Sequence, residues 1–197
     1  MSYNKWDFAV LLVGIFLISL VVLSEQPPEI KPPINLYLDM KIEGNTTELV
    51  HKIRALKRTD IVRLYVFTPG GQALEALELM HALASTPSNI TLVIDSFAAS
   101  AGGILLCSWT HKLALHDEAV LAFHTLQQLT PAGQIPLKAA DVGKTDMFTQ
   151  LVYYIIKNKM ERNCRKAFTD QEWADMWDNG KDIAMSGKTY KQRMGIK

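Results

Sequence analysis

Small residues crowd this chain in two places, the turn Thr68-Pro69-Gly70-Gly71 and the run Ala98-Ala99-Ser100-Ala101-Gly102-Gly103. Small side chains let a substrate backbone approach. The amides of Gly70, Gly71 and the first turn of a helix opened by Ser100 suit a developing oxyanion. A neutral serine attacks a carbonyl only when a base takes its proton and a third group fixes the tautomer of that base. His124 is placed to be the base, because it ends an apolar strand where a side chain meets the sheet edge. Asp182, in Gly180-Lys181-Asp182-Ile183, is the best acid, since it follows an amphipathic helix and opens a short apolar segment; Asp95, one residue past another strand, is the weaker contender. A serine at a helix start is most often only a cap, so the chemistry rests on the combination. His51, His81, His111 and His116 fall on a helix face or in loops and are expected at the surface or half-buried.

Positioning these groups takes a scaffold, and the apolar spacing supplies one. Residues 34–42 predict a strand, 46–57 a helix capped by Asn45 with Glu48 three residues on, and 61–67 a second strand. Residues 72–84 carry apolar side chains at helical spacing, 90–94 form a short strand, and 101–109 are apolar but too rich in small residues for a strand. Strand character returns at 113–115 and 120–123. Repeated strand-helix units imply an α/β fold with a largely parallel sheet and right-handed crossovers. Both small-residue clusters then lie at the carboxyl edge, where ligands bind. Residues 125–137 are turn-rich, and 139–162 predict one long helix with an apolar stripe through Met147, Leu151, Tyr154 and Ile155. A capping box at Thr169-Asp170-Gln171-Glu172 starts a shorter helix that buries Trp173, Met176 and Trp177.

The N-terminal portion is of another kind. Residues 8–23 are sixteen uncharged, mostly apolar residues between Lys5 and Glu25, short of the 18 or more wanted for a comfortable span but long for a signal core. An uncleaved anchor is the leading expectation, with a cleaved signal or a buried helix as alternatives. Lys5 places the N-terminus weakly in the cytoplasm, which puts the body outside. Residues 26–33 hold four prolines in eight positions and predict a stiff linker, leaving residues 34–197 as the catalytic body.

Composition narrows the function. The 197 residues are 48% hydrophobic, with 21 basic and 20 acidic side chains, and the near-neutral balance leaves no electrostatic footprint for nucleic acid. No Gly-rich phosphate loop is present, and no cofactor or metal is called for. Cys107 and Cys164 stand 57 positions apart with no metal-ligand spacing. Cys107 is expected to be a core thiol, and no disulfide scaffold is indicated.

The segments YVFTPGGQALEALELMHAL, VIDSFAASAGGILLCS and AVLAFHT, in this order and spacing, resemble the proteolytic subunit of the Clp protease and its crotonase-like relatives. The resemblance runs over about 160 residues, from Ile34 onward. It implies a ClpP/crotonase-like fold with a protruding handle helix and a serine endopeptidase. Ser100 would be the nucleophile, His124 the base, Asp182 the orienting acid, and Gly70 and Ala101 the oxyanion amides. It also implies polypeptide substrates and a homo-oligomeric ring, and raises an ATPase unfoldase partner. Lys181 precedes Asp182 where the family has arginine, and only Gly133 represents the glycine-rich handle strand. The same serine motif resembles the signal peptide peptidase A and NfeD-type membrane proteases, which pair serine with lysine; Lys144 is the alternative base on that resemblance. An inactive scaffold of the same fold is a third possibility.

Overall fold

Alternation along β1 (Ile34–Leu38) turns Leu36 and Leu38 inward and leaves Tyr37 exposed. The same period buries Val62, Leu64 and Val66 in β2 (Ile61–Val66) and Ile90, Leu92 and Ile94 in β3 (Asn89–Ile94). These strands and β5 (Lys112–Leu115) form a parallel sheet in the order β1-β2-β3-β5, with Leu36 beside Leu64, Leu64 beside Leu92 and Leu92 beside Leu113. That row of leucines is the floor of the core. Helices α1 (Thr46–Arg54), α2 (Ala73–Ser85) and α3 (Ala101–Ser108) pack into it through Leu49, Val50 and Ile53, then Leu79, Met80 and Leu83, then Ile104 to Cys107. The computed structural model describes residues 31–39, 41–44 and 46–196, and residues 33–197 form one compact unit.

A second, three-stranded sheet joins β4 (Phe97–Ala99), β6 (Val120–Phe123) and β9 (Ile183–Ser186) in the order β4-β6-β9. β4 runs parallel to β6, and β9 runs antiparallel to it. Between β6 and β9 the chain forms a hairpin, β7 (Gln127–Thr130) and β8 (Gly133–Pro136), then a 3-10 turn over Ala139–Lys144. Helices α4 (Met147–Cys164) and α5 (Asp170–Trp177) follow, and α6 (Gly187–Met194) comes after β9. The expected capping box on α5 is present.

Several sequence expectations need correction. The helix expected over 139–162 is two elements, because Asp146 accepts from the Thr149 amide and starts α4 afresh. The stripe Met147, Leu151, Tyr154, Ile155 faces solvent, while Val152, Tyr153, Ile156 and Met160 are buried. The turn-rich stretch contains a hairpin, and residues 97–99, too few to show periodicity, are a strand. Cys107 is not a free thiol. It forms a disulfide with Cys164, at a Cα–Cα distance of 5.2 Å, because α3 packs on the far end of α4; spacing in sequence cannot report such an approach. Among the described residues no helix is long and apolar enough to cross a membrane. The apolar run 8–23, residues 26–30 of the linker and Asn45 lie outside the described residues.

Candidate active site

The second sheet decides what meets what. Ser100 directly follows β4 and His124 directly follows β6; since these strands are parallel, both residues leave the sheet at one edge. β9 is antiparallel and enters at that edge, immediately after Asp182. The last ladder pair is Phe123 with Ile183, so His124 and Asp182 each lie one residue beyond it, at the same end of the ladder. With β6 in the middle, the edge carries serine, histidine and aspartate side by side, the histidine between the other two. The Ser100 amide donates to the Ala122 carbonyl at 2.9 Å, tying the serine to the histidine strand.

Ser100 has φ 55° and ψ −119°, and no other non-glycine residue among those described has a positive φ. Such backbone costs on the order of 1–3 kcal/mol and persists only where its surroundings impose it. Its side chain caps no amide of α3, so the ordinary reason for a serine at a helix start does not hold here. The glycines after it explain how α3 fits. A Cβ on Gly102 would lie 2.6 Å from the Thr68 methyl, and one on Gly103 would lie 2.8 Å from the Ala122 carbonyl oxygen. Thr68 is fully buried and exchanges backbone hydrogen bonds with β4, accepting from Ala99 and donating to Phe97. The Pro-Gly-Gly turn is thereby held against Ser100. Gly70, at φ 95°, sits where any side chain would strike Ala99 and Ser100. Its amide donates to Thr68 Oγ1 at 3.1 Å, a bond it must exchange for the oxyanion if it is to act as a donor.

His124 is half-buried, and its Nδ1 lies 2.5 Å from the Thr125 carbonyl oxygen. Asp182 is exposed, and the hydrogen bond of the imidazole goes to Thr125 rather than to it. Thr125, a buried polar residue beside the histidine, is the neighbour that periodicity could not single out. Asp95 is exposed and precedes β4, at the opposite end of that strand from Ser100. His51, His81, His111 and His116 are all exposed. Lys144 ends the 3-10 turn, is exposed, and pairs with Asp141 at 2.8 Å. Hydrogen bonding to that carboxylate holds the ammonium above its ordinary value. A lysine base needs desolvation and the opposite shift.

No protein-family model matches the chain. It is 38% identical over 105 residues to the ATP-dependent Clp protease proteolytic subunit 3 of Rhodococcus jostii, an alignment covering 53% of this chain and 50% of the relative. It is 31% identical over 88 residues to an uncharacterized protein of Methanocaldococcus jannaschii, covering 45% of this chain and 30% of that one. The chain thus spans half or less of the length of these curated relatives. An α/β fold with a parallel sheet of alternating strands and helices is consistent with that kinship. Over about half its length the chain is a distant homologue of the Clp proteolytic subunit.

Proposed function

We propose that this chain is a serine endopeptidase of ClpP-like fold, with α4 as its handle helix. The observation that carries the reading is the edge of the β4-β6-β9 sheet, where Ser100, His124 and Asp182 follow one another in nucleophile, base and acid order. The strained backbone of Ser100 and its uncapped hydroxyl support it. In the reaction Ser100 Oγ bonds to the scissile carbonyl carbon as its proton passes to His124 Nε2. The oxyanion takes hydrogen bonds from Ala101 and from Gly70 or Gly71. The C–N bond then breaks, the amine leaving with the proton from His124, and water hydrolyses the acyl-serine by the same base. Asp182 supplies the negative charge that favours the imidazolium. The exposed, paired Lys144 argues against a serine-lysine dyad.

The substrates are polypeptides and the working form is a homo-oligomer; no cofactor enters the mechanism. The uncharged run at residues 8–23 attaches the chain to a membrane as a single pass. The Cys107–Cys164 disulfide supports a body on the oxidising side, since such bonds persist outside the cytosol. Delivery by a cytosolic unfoldase is then disfavoured. The full-length chain in detergent should be labelled by a fluorophosphonate probe, and Ser100→Ala should abolish labelling while leaving the thermal unfolding midpoint within a few degrees. An unlabelled wild-type chain, or an equally labelled Ser100→Ala variant, would overturn the hydrolase reading.

A further inference from the structure

In a serine protease the group behind the histidine has two jobs: it holds the proton on Nδ1 so that Nε2 is free to act as base, and it stabilises the imidazolium. Here one of these jobs has a visible occupant. A carbonyl oxygen can only accept, so the 2.5 Å approach of His124 Nδ1 to the Thr125 oxygen requires Nδ1 to carry the proton. In the neutral imidazole Nε2 is then the lone-pair nitrogen, which is the tautomer a general base needs.

That carbonyl is not left to drift. Thr125 is 1% exposed, and its hydroxyl donates to the Leu137 carbonyl at 2.8 Å. The Leu137 amide in turn donates to the Leu126 carbonyl at 2.7 Å. These two bonds close the base of the β7–β8 hairpin, so the Thr125–Leu126 peptide, which carries the carbonyl facing His124, is pinned from across the hairpin. Asp182, by contrast, is exposed and does not hold the imidazole. We infer that Thr125 is a positioning residue whose backbone carbonyl fixes the tautomer of His124, leaving Asp182 only the electrostatic half of the acid's role. This rests on the endopeptidase reading for its kinetic consequence, but the tautomer itself does not.

Two measurements separate the inference from that reading. The first is the imidazole of the full-length chain with 15N-labelled histidine, His124 being assigned from the signal lost in His124→Gln. The expected spectrum has the proton on Nδ1 in the wild type, in Asp182→Asn and in Thr125→Ser. In Thr125→Val, where the hairpin bond to Leu137 is gone, a mixture of tautomers appears. A proton on Nε2 in the wild type, or a switch to Nε2 in Asp182→Asn, overturns the inference whether or not the chain is a hydrolase; an unchanged spectrum in Thr125→Val overturns the role given to the hydroxyl.

The second is the rate of fluorophosphonate labelling of Ser100. Where the acid holds the tautomer, its replacement by asparagine costs roughly ten-thousandfold in rate. Asp182→Asn is expected to lose less than about a hundredfold, because only charge is removed and Nδ1 keeps its acceptor. A loss near ten-thousandfold would return the tautomer to Asp182. Absence of labelling in the wild type would strike the endopeptidase reading and leave the spectroscopic result standing.

Discussion

A methyl group on Gly70 would stand 2.8 Å from the hydroxyl oxygen of Ser100, well inside van der Waals contact. The backbone there, at φ 95°, is also closed to side chains. Gly70→Ala must therefore move the Pro-Gly-Gly turn, the serine, or both. Displacements of about 1 Å in a catalytic constellation can cost a hundredfold. Labelling of Ser100 by a serine-directed probe should fall by about that factor. Gly44→Ala, where nothing lies within 4 Å, should label like wild type and serves as the control. Normal labelling of Gly70→Ala would mean that the turn does not border the reacting atoms.

How much of this site the sequence displays depends on the kind of signal. Ser100, Gly70 and His124 stand out because they interrupt apolar runs at the ends of elements, and their order along the chain follows from strand-helix alternation. The β4-β6-β9 sheet is less legible, since β4 is three residues long and β9 four, too short for a period-2 pattern. Its consequence, that His124 and Asp182 each lie one residue beyond the Phe123–Ile183 pair, follows from the register and has no sequence signature. Thr125 escapes for a different reason: the group that acts is a backbone carbonyl, which every residue has. The stripe on α4 misleads because both sides of the helix are apolar, and periodicity alone does not say which side meets the core.

The disulfide should matter to stability. It closes a 57-residue separation between α3 and α4 with both cysteines buried. Bridges over loops of this size contribute roughly 2–5 kcal/mol, mainly by restricting the unfolded chain. Cys107→Ala with Cys164→Ala should lower the free energy of unfolding by that amount in urea titrations of the full-length chain in detergent. Thiol titration of the unfolded, unreduced wild type should find no free cysteine. Two titratable thiols there would remove the bridge, and with it the support for an oxidising compartment.

Glu172 joins α5 to α6 and should make stability depend on acid. Its carboxylate accepts from the Thr169 amide at 2.8 Å and from Arg193 at 2.7 Å, while Arg193 also reaches the Ala167 carbonyl. Partial burial pushes the carboxyl up, but the Thr169 amide and Arg193 outweigh it and hold it below its ordinary value. A carboxyl depressed in the folded state stabilises it above the unfolded pKa of about 4.3, and that contribution disappears as pH falls through the lower folded value. Glu172→Gln should therefore melt earlier than wild type at pH 7, by about 1 kcal/mol in stability. The two melting curves should converge below about pH 4. A gap that stays constant from pH 7 to pH 3 would show that the charge of Glu172 contributes nothing.

The exposed side of α4 bears on assembly. Met147 is 84% exposed, and Phe148, Leu151 and Tyr154 are each more than half exposed, on the side of the helix away from the buried Val152, Tyr153, Ile156 and Met160. A patch of this character, outside the core formed by the described residues, suits a contact surface. A second copy of the chain is the proposed occupant, consistent with the oligomer expected for a ClpP-like protease. If residues 8–23 anchor each chain as proposed, every copy must attach to the same membrane, which a single ring or a smaller oligomer allows. Light scattering of the detergent-solubilised chain should give a mass of several chains. Phe148→Glu with Leu151→Glu should reduce it toward one chain while the unfolding midpoint changes little, since both side chains are exposed in the single chain. A wild-type monomer at micromolar concentration, or a double variant with unchanged mass, would show that α4 does not hold the assembly together.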